Sequence, residues 1–353
     1  MRSCHVHVVK SGRSRGVALV IVLLTLFALS AMAGIFAYSM KVEMRLAMNT
    51  SNSTELEWLG RSGVEYAKWV LVQQDQVPSE RGFHALNQFW AGGPGPVESA
   101  DNPFAGESLR DIPVGEGRVS VQIEDQERFL NINSMARNPA LLDLALSRAG
   151  ADATDGAIIT SALTDWMDRD DFAQAGNGAE SEYYLGLDPP YRAKNGPIDD
   201  IRELLLVRGV TPALFWGGNY RVTARGDHSG FRSSSSRDDE PTIGLNSIFC
   251  ALSSGRVNIN TANRDVIALV LGGDTSLAGE VLRIREEQPA RGGGDISRVL
   301  GPAGTGFQQL FTTQSTTFVV RVLAALGPAK RTYYALIRRS GARDYQTLLF
   351  REE

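Results

Sequence analysis

The chain has 353 residues, 43 % hydrophobic and 22 % charged, with 36 Gly and 14 Pro; this excludes a disordered polymer and suggests two or three folding units. Two Cys exclude a disulfide scaffold and a Cys-based zinc ribbon, and four His leave little for a His-rich metal site. A net charge of −4 argues against a chain built to grip nucleic acid.

The first 16 residues carry Arg2, Lys10, Arg13 and Arg15 and no acid. Val17 to Met40 then runs without a charge, roughly 36 Å as a helix and enough for a hydrocarbon core of about 30 Å. The basic flank orients that end toward the cytoplasm. A cleaved signal peptide would have a shorter apolar core and a small-residue exit, which is absent here. The pattern continues past Lys41 with no Pro until Pro78. Leu56, Leu59, Gly63, Val64, Ala67, Val70 and Leu71 recur at three- and four-residue steps. This predicts one helix of about 60 residues, apolar all round at first and one-faced later.

Ser14-Arg15-Gly16 ahead of Val17-Ala18-Leu19, followed by that apolar helix, resembles the type IV pilin and type II secretion pseudopilin superfamily. The resemblance implies cleavage after Gly16 by a prepilin peptidase, with Val17 as the new N-terminus. Major subunits of the superfamily carry a glutamate at the fifth position after the cut, which answers a neighbour's terminal amine. Here that position is Ile21, a departure similar to the K-type minor pseudopilins (general secretion pathway protein K). Loss of residues 1–16 would shift the net charge from −4 to −8.

After Pro78 a Gly/Pro-rich connector leads to Gly117–Glu124, whose alternation predicts a half-buried strand around Val119–Ile123. The phrase Leu130-Asn131-Ile132-Asn133-Ser134 recurs as Val257-Asn258-Ile259-Asn260-Thr261, each followed by an apolar-periodic segment. This reads as an internal duplication of a strand–cap–helix unit, with Ser134 and Thr261 as the expected helix N-caps. The second copy resembles a helix-hairpin-helix module, a type that can offer backbone amides to DNA phosphate. Gly272-Gly273-Asp274 puts a carboxylate at that hairpin, and Arg283, Arg285 and Arg291 are diluted by Glu286, Glu287 and Asp295. The resemblance to K-type pseudopilins, which carry such helix pairs as inserts, favours a protein-facing structural role.

Between the copies lie Asp165, Asp168, Asp170 and Asp171, followed by Glu180, Glu182 and Asp188. Asp165 and Asp168 share a face on a helix end. Carboxylates so crowded repel unless a cation compensates, and hard oxygen ligands without His or Cys favour Ca²⁺ over zinc or copper. The EF-hand spacing is missing. The competing readings are a solvated acidic loop, or caps for a helix over Ile198–Val207. Resemblance to the family's calcium-carrying insert favours calcium, with Asp165, Asp168, Asp170 and Glu180 as ligands and Asp171 and Asp188 in reserve.

Residues 227–244 read as a Ser-rich loop and Gly301–Gly306 as a connector without the Lys-Ser/Thr of a phosphate loop. The Arg225-Gly226-Asp227 tripeptide beside that loop is read as accident rather than adhesion motif. Thr316–Leu323, Thr332–Arg338 and Tyr345–Phe350 read as strands, with Gly327-Pro328 and Ser340-Gly341 as turns. His84 and His228 sit in loop-like surroundings without a nucleophile elbow. Cys250 in an apolar run reads as a buried thiol, and Cys4 belongs to the leader. No enzyme is expected.

The expected fold is α+β: a pilin-like long N-terminal helix on an antiparallel sheet, with a large inserted α-helical (SAM-like, helix-hairpin-helix) region. The expected division is a leader at 1–16, the long helix at 17–77 (transmembrane at 17–40) and a pilin-like body at 78–130 and 311–353. Inserted domains are expected at 131–255 and 256–310. The resemblance implies a minor pseudopilin at the tip of a type II secretion pseudopilus, starting or capping its assembly. It would be a single-pass protein of the inner membrane with its body in the periplasm. Its partners would be the I- and J-type minor pseudopilins and the prepilin peptidase, with no nucleic acid. The alternatives are a membrane-anchored helix-hairpin-helix DNA receptor and a minor pilin of a type IV pilus.

Overall fold

The computed structural model describes residues 15–94, 102–218, 243–341 and 343–353. His228, Cys4, the leader as far as residue 14 and most of the Ser-rich stretch lie outside the described residues. Helix α1 (Arg15–Gln74) is unbroken over 60 residues, about 90 Å at 1.5 Å per residue. Its side chains from Val17 to Ala47 are all exposed, and the helix contains a stretch long and apolar enough to cross a membrane, with mean hydropathy 2.6. From Leu56 onward the expected stripe is buried. Strand β1 (Ile112–Val114) and strand β2 (Gly117–Asp125) follow.

The chain then enters the insert, whose elements in order are β3 (Leu130–Asn131), α2 (Pro139–Arg148), α3 (Ala153–Met167), α4 (Ser181–Leu185) and α5 (Pro212–Trp216). They continue as β4 (Phe249–Cys250), β5 (Val257–Asn258), α6 (Arg264–Val270), α7 (Thr275–Glu287), α8 (Gly293–Leu300) and β6 (Phe311–Thr312). One continuous hydrophobic core runs through this region from Leu130 to Phe311, so residues of both expected insert domains share it.

The duplication is visible at the level of side chains. β3 pairs in parallel with β4, and β5 with β6. Asn131 Oδ1 accepts from the Asn133 N–H, as Asn258 Oδ1 accepts from the Asn260 N–H. Asn133 then clamps Ile198 through N–H and C=O, and Asn260 clamps Ala290 in the same way. The N-caps differ from expectation. Asn138 and Asn263 cap α2 and α6, because the Asn side chains hold a tight turn that postpones the helix start. Ser134 Oγ instead donates to the Asn131 carbonyl, and Thr261 Oγ1 to Asp125. Asn260 is 3 % exposed, whereas Asn133 is half-buried. Asn260→Ala is therefore expected to cost about 2–4 kcal/mol and Asn133→Ala less, since unpaired backbone groups are more costly where water cannot reach; urea denaturation of the two variants checks the order.

The chain closes with β7 (Thr317–Leu326), β8 (Ala329–Gly341) and β9 (Asp344–Glu352). These strands run several residues beyond the expected limits, because the β7–β8 hairpin needs only Gly327-Pro328 as its turn, with Gly327 at φ +56. The sheet order is β1-β2-β7-β8-β9, antiparallel throughout. Val121, Ile123, Val320, Val322, Ala335 and Ile337 form its inner face against α1. Leu59 meets Gly117 at one end of the sheet, while Arg339 pairs with Asp75 just past the helix C-terminus at the other. Asp125 opposes Phe318 and Phe318 opposes Ile337 at that second end. The insert thus leaves and returns between two neighbouring strands at the end of the body remote from the apolar half of α1.

Candidate metal centre in the insert

Helix α3 begins at Asp152, whose carboxylate accepts from the Thr154 and Asp155 N–H groups, and ends with Asp168 as C-cap. One turn of spacing brings Asp165 and Asp168 to the same side of this helix end. The loop after it folds back and delivers Glu180, the residue just before α4. Oxygens of Asp165, Asp168 and Glu180 lie within 4.8 Å of one another. Asp165 is held from the loop side: its carboxylate accepts from the Ala179 N–H at 2.8 Å and the Gln174 N–H at 3.1 Å. A Cβ at Gly178 would stand 2.2 Å from Asp165 Oδ2, so only glycine permits this approach.

The trio is short of positive partners. Asp168 Oδ1 and both Glu180 oxygens are buried with no hydrogen-bond partner among the described residues, and Glu180 is 3 % exposed. Burial, and then Asp165, Asp168, Asp171 and Asp170, push the Glu180 carboxyl up to about 7. Burial, then Asp170 and Asp165, also raise Asp168. Trp166, Tyr184 and Tyr191 pack edge-on and stacked beside the trio, a dry wall that sharpens the repulsion. Orphaned carboxylate oxygens in such a setting fit a hard divalent cation, for which water and backbone carbonyls complete the shell.

The group within 4.8 Å does not include the other acidic candidates. Asp170 Oδ1 accepts from the Phe172 N–H, and Asp171 Oδ1 from the Ser181 N–H. Hydrogen bonding to Ser181 holds Asp171 below the usual carboxylate range. Asp188 is exposed and precedes Pro189. The cap of the segment expected at Ile198–Val207 comes from Asp200, which forms a capping box with Glu203 on a 3₁₀ helix over Ile201–Leu206. Two residues escaped the sequence reading. One is Gly178. The other is Asn195, whose Nδ2 donates to the Asp170 carbonyl while its Oδ1 is buried and unpartnered. Asn195 has φ +48, and the Asn195-Gly196 pair was a turn signal that could have pointed to it.

The helix-hairpin-helix turn is closed to phosphate in its most direct form. Asp274 caps α7 by accepting from the Ser276 and Leu277 N–H groups, the amides a phosphate would seek. His84 is buried rather than on an open loop: its Nδ1 accepts from the Ser315 N–H, and burial pushes it down to about 3. Ser315 Oγ donates to Asp125 and not to this histidine. Cys250 is buried, its thiol pushed up to about 12 by burial.

A family model described as type II secretion system protein K matches residues 129–222, the stretch that holds the trio. Curated relatives named type II secretion system protein K extend the match. The Aeromonas hydrophila protein is 24 % identical over 344 residues, covering 90 % of this chain and 91 % of its own. The chain is thus similar to type II secretion system protein K over nearly its whole length. The Klebsiella pneumoniae protein of that name is 28 % identical over 214 residues, covering 58 % of this chain and 60 % of its own. The fold matches a chain in the crystal structure of the GspK-GspI-GspJ complex of enterotoxigenic Escherichia coli, with TM-score 0.64 and 20 % identity. That match covers 87 % of this chain and 99 % of the other. The α+β class expected above, a long N-terminal helix on an antiparallel sheet with inserted helices, is the fold of this chain.

Proposed function

We propose that this protein is the minor pseudopilin at the tip of a type II secretion pseudopilus, where it starts and caps assembly for export across the outer membrane. The observation that carries this reading is the placement of the insert. A shaft made of one helix bears, at the end remote from its apolar half, a body plus an insert running from Leu130 to Phe311. A subunit stacked above would meet that bulk instead of an open helix end. Ile21 supports the same role: it offers an exposed apolar side chain where a carboxylate would bind the amine of a subunit entering above.

In this reading a prepilin peptidase cuts after Gly16, Val17 becomes the N-terminus, and residues 17–40 hold the chain in the inner membrane with its body in the periplasm. The I- and J-type minor pseudopilins, named with GspK in the related complex, are the partners. Calcium occupies the Asp165–Asp168–Glu180 trio and ties the insert's acidic loop to α3 and α4. Intact-mass analysis of protein extracted from membranes of a strain with its peptidase is expected to show a chain beginning at Val17. A chain retaining residues 1–16, or trimmed beyond Met40, contradicts the assignment.

A further inference from the structure

The body and the insert have separate hydrophobic cores, and the seam between them is polar and closed to water. Asp125, at the end of β2, is 2 % exposed and Glu127 0 %. Asp125 Oδ2 accepts from Thr261 Oγ1 at 2.6 Å, Ser315 Oγ at 2.7 Å and Asn258 Nδ2 at 3.1 Å, and its Oδ1 accepts from the Glu127 N–H. Glu127 accepts from Thr316 Oγ1 and from the Ser254 and Thr317 N–H groups. The donors come from both sides of the joint: Asn258, Thr261 and Ser254 from the insert, Ser315, Thr316 and Thr317 from the start of β7.

Every one of these donors is neutral. Two carboxylates lie side by side in a dry seam, and among the described residues neither has an ion-pair partner. The other titratable groups facing the seam do not offset them. His84, from the loop after α1, is neutral, with Nδ1 accepting and Nε2 buried. Cys250, on β4, is held as a thiol. Glu80, from the same loop as His84, adds only another acid and bonds Gln74. Arg285 on α7 spends its Nη1 on the Ile259 and Ala262 carbonyls. Arg128, after β2, pairs with Glu124, and Arg339 on β8 with Asp75.

We propose that Asp125 and Glu127 form a proton-dependent clasp that fixes the insert rigidly to the helix-bearing body when the pair holds a proton and loosens the joint when that proton leaves. The hydroxyls of Thr261 and Ser315 serve both states, since each can donate to a carboxylate or accept from a carboxylic acid. Deprotonation puts a second negative charge beside Glu127 in a low-dielectric seam, where mutual repulsion is strongest. Burial and then Glu127 hold Asp125 above the usual carboxylate range, consistent with this geometry.

The sign follows from linkage. Between the unfolded and the raised folded pKa, the opened joint releases the proton that the closed joint keeps, so closure weakens as pH rises through that window. Hydrogen exchange of the full chain in detergent, corrected for intrinsic chemistry, reads this at peptides covering 256–262 and 313–317. Their protection is expected to fall by up to about tenfold per pH unit through the window, and Asp125→Asn is expected to abolish that slope. If Asp125→Asn does not fold, Glu127→Gln removes the repelling neighbour; less repulsion lowers the pKa of Asp125 in the closed joint, so the fall in protection should level off at a lower pH than in the parent chain. Parallel profiles in the parent chain and the variant, or a flat profile in the parent, overturn the proposal.

Discussion

Chelating calcium from the full chain is expected to lower its melting temperature by roughly 5–15 °C. A ligand that binds only the folded state at 100–1,000 times its Kd contributes about 3–4 kcal/mol, and each kcal/mol moves a domain of this size by about 2–4 °C. Micromolar affinity at millimolar calcium lies in that range and is ordinary for a site built from carboxylates. The pH dependence has a definite sign. The Glu180 carboxyl sits at about 7 in the metal-free fold, above its unfolded value, so the metal-free insert loses stability as pH rises toward 7. Calcium needs the ionised form, so its stabilising effect should grow from pH 5.5 to pH 8. Glu180→Ala should abolish the calcium response while making the metal-free chain more tolerant of alkaline pH. Scanning calorimetry with calcium and with EGTA at the two pH values measures all of this; no calcium shift at pH 8 contradicts it.

Gly63→Ala is expected to destabilise the body by about 1–3 kcal/mol, although the same change in an exposed helix stabilises by about 1 kcal/mol. The reason is the seam between α1 and the sheet. A Cβ on Gly63 would stand 2.4 Å from Val322 Cγ1, and one on Gly60 would stand 2.4 Å from Tyr333 Cδ2. Val322 is fully buried and has nowhere to retreat. Gly63→Val should be worse, pushing the helix off its strand. Val322→Ala by itself opens a cavity, but combined with Gly63→Ala it should recover most of the loss. A double-mutant cycle by urea denaturation tests this; additive costs would show that the two positions do not compete for the same space.

Much of the architecture was legible because its signals are local. An apolar run without Pro reads as one helix wherever it lies, and alternation at Val119, Val121 and Ile123 reads as a strand with one buried face. The Asn-Ile-Asn phrases showed the duplication, although not which residue caps each helix. That choice depends on the Asn131 and Asn258 side chains closing a turn first. The acidic cluster was visible, with Asp165, Asp168 and Glu180 among its candidates, but which of the acids converge was not, because Glu180 reaches Asp165 only when the loop folds back over Gly178. The seam between body and insert was hidden altogether. His84, Asp125, Asn258, Thr261 and Ser315 come from distant parts of the chain, and the closing of the sheet brings them together.

The tip assignment is tested most directly by mixing this protein, solubilised from membranes, with the I- and J-type pseudopilins of its own secretion system and measuring the mass of what elutes together. A single species holding one copy of each is the predicted result, with this chain present once however large its excess. An I–J pair that forms by itself and leaves this chain unbound, or an assembly that incorporates it repeatedly, would contradict the account.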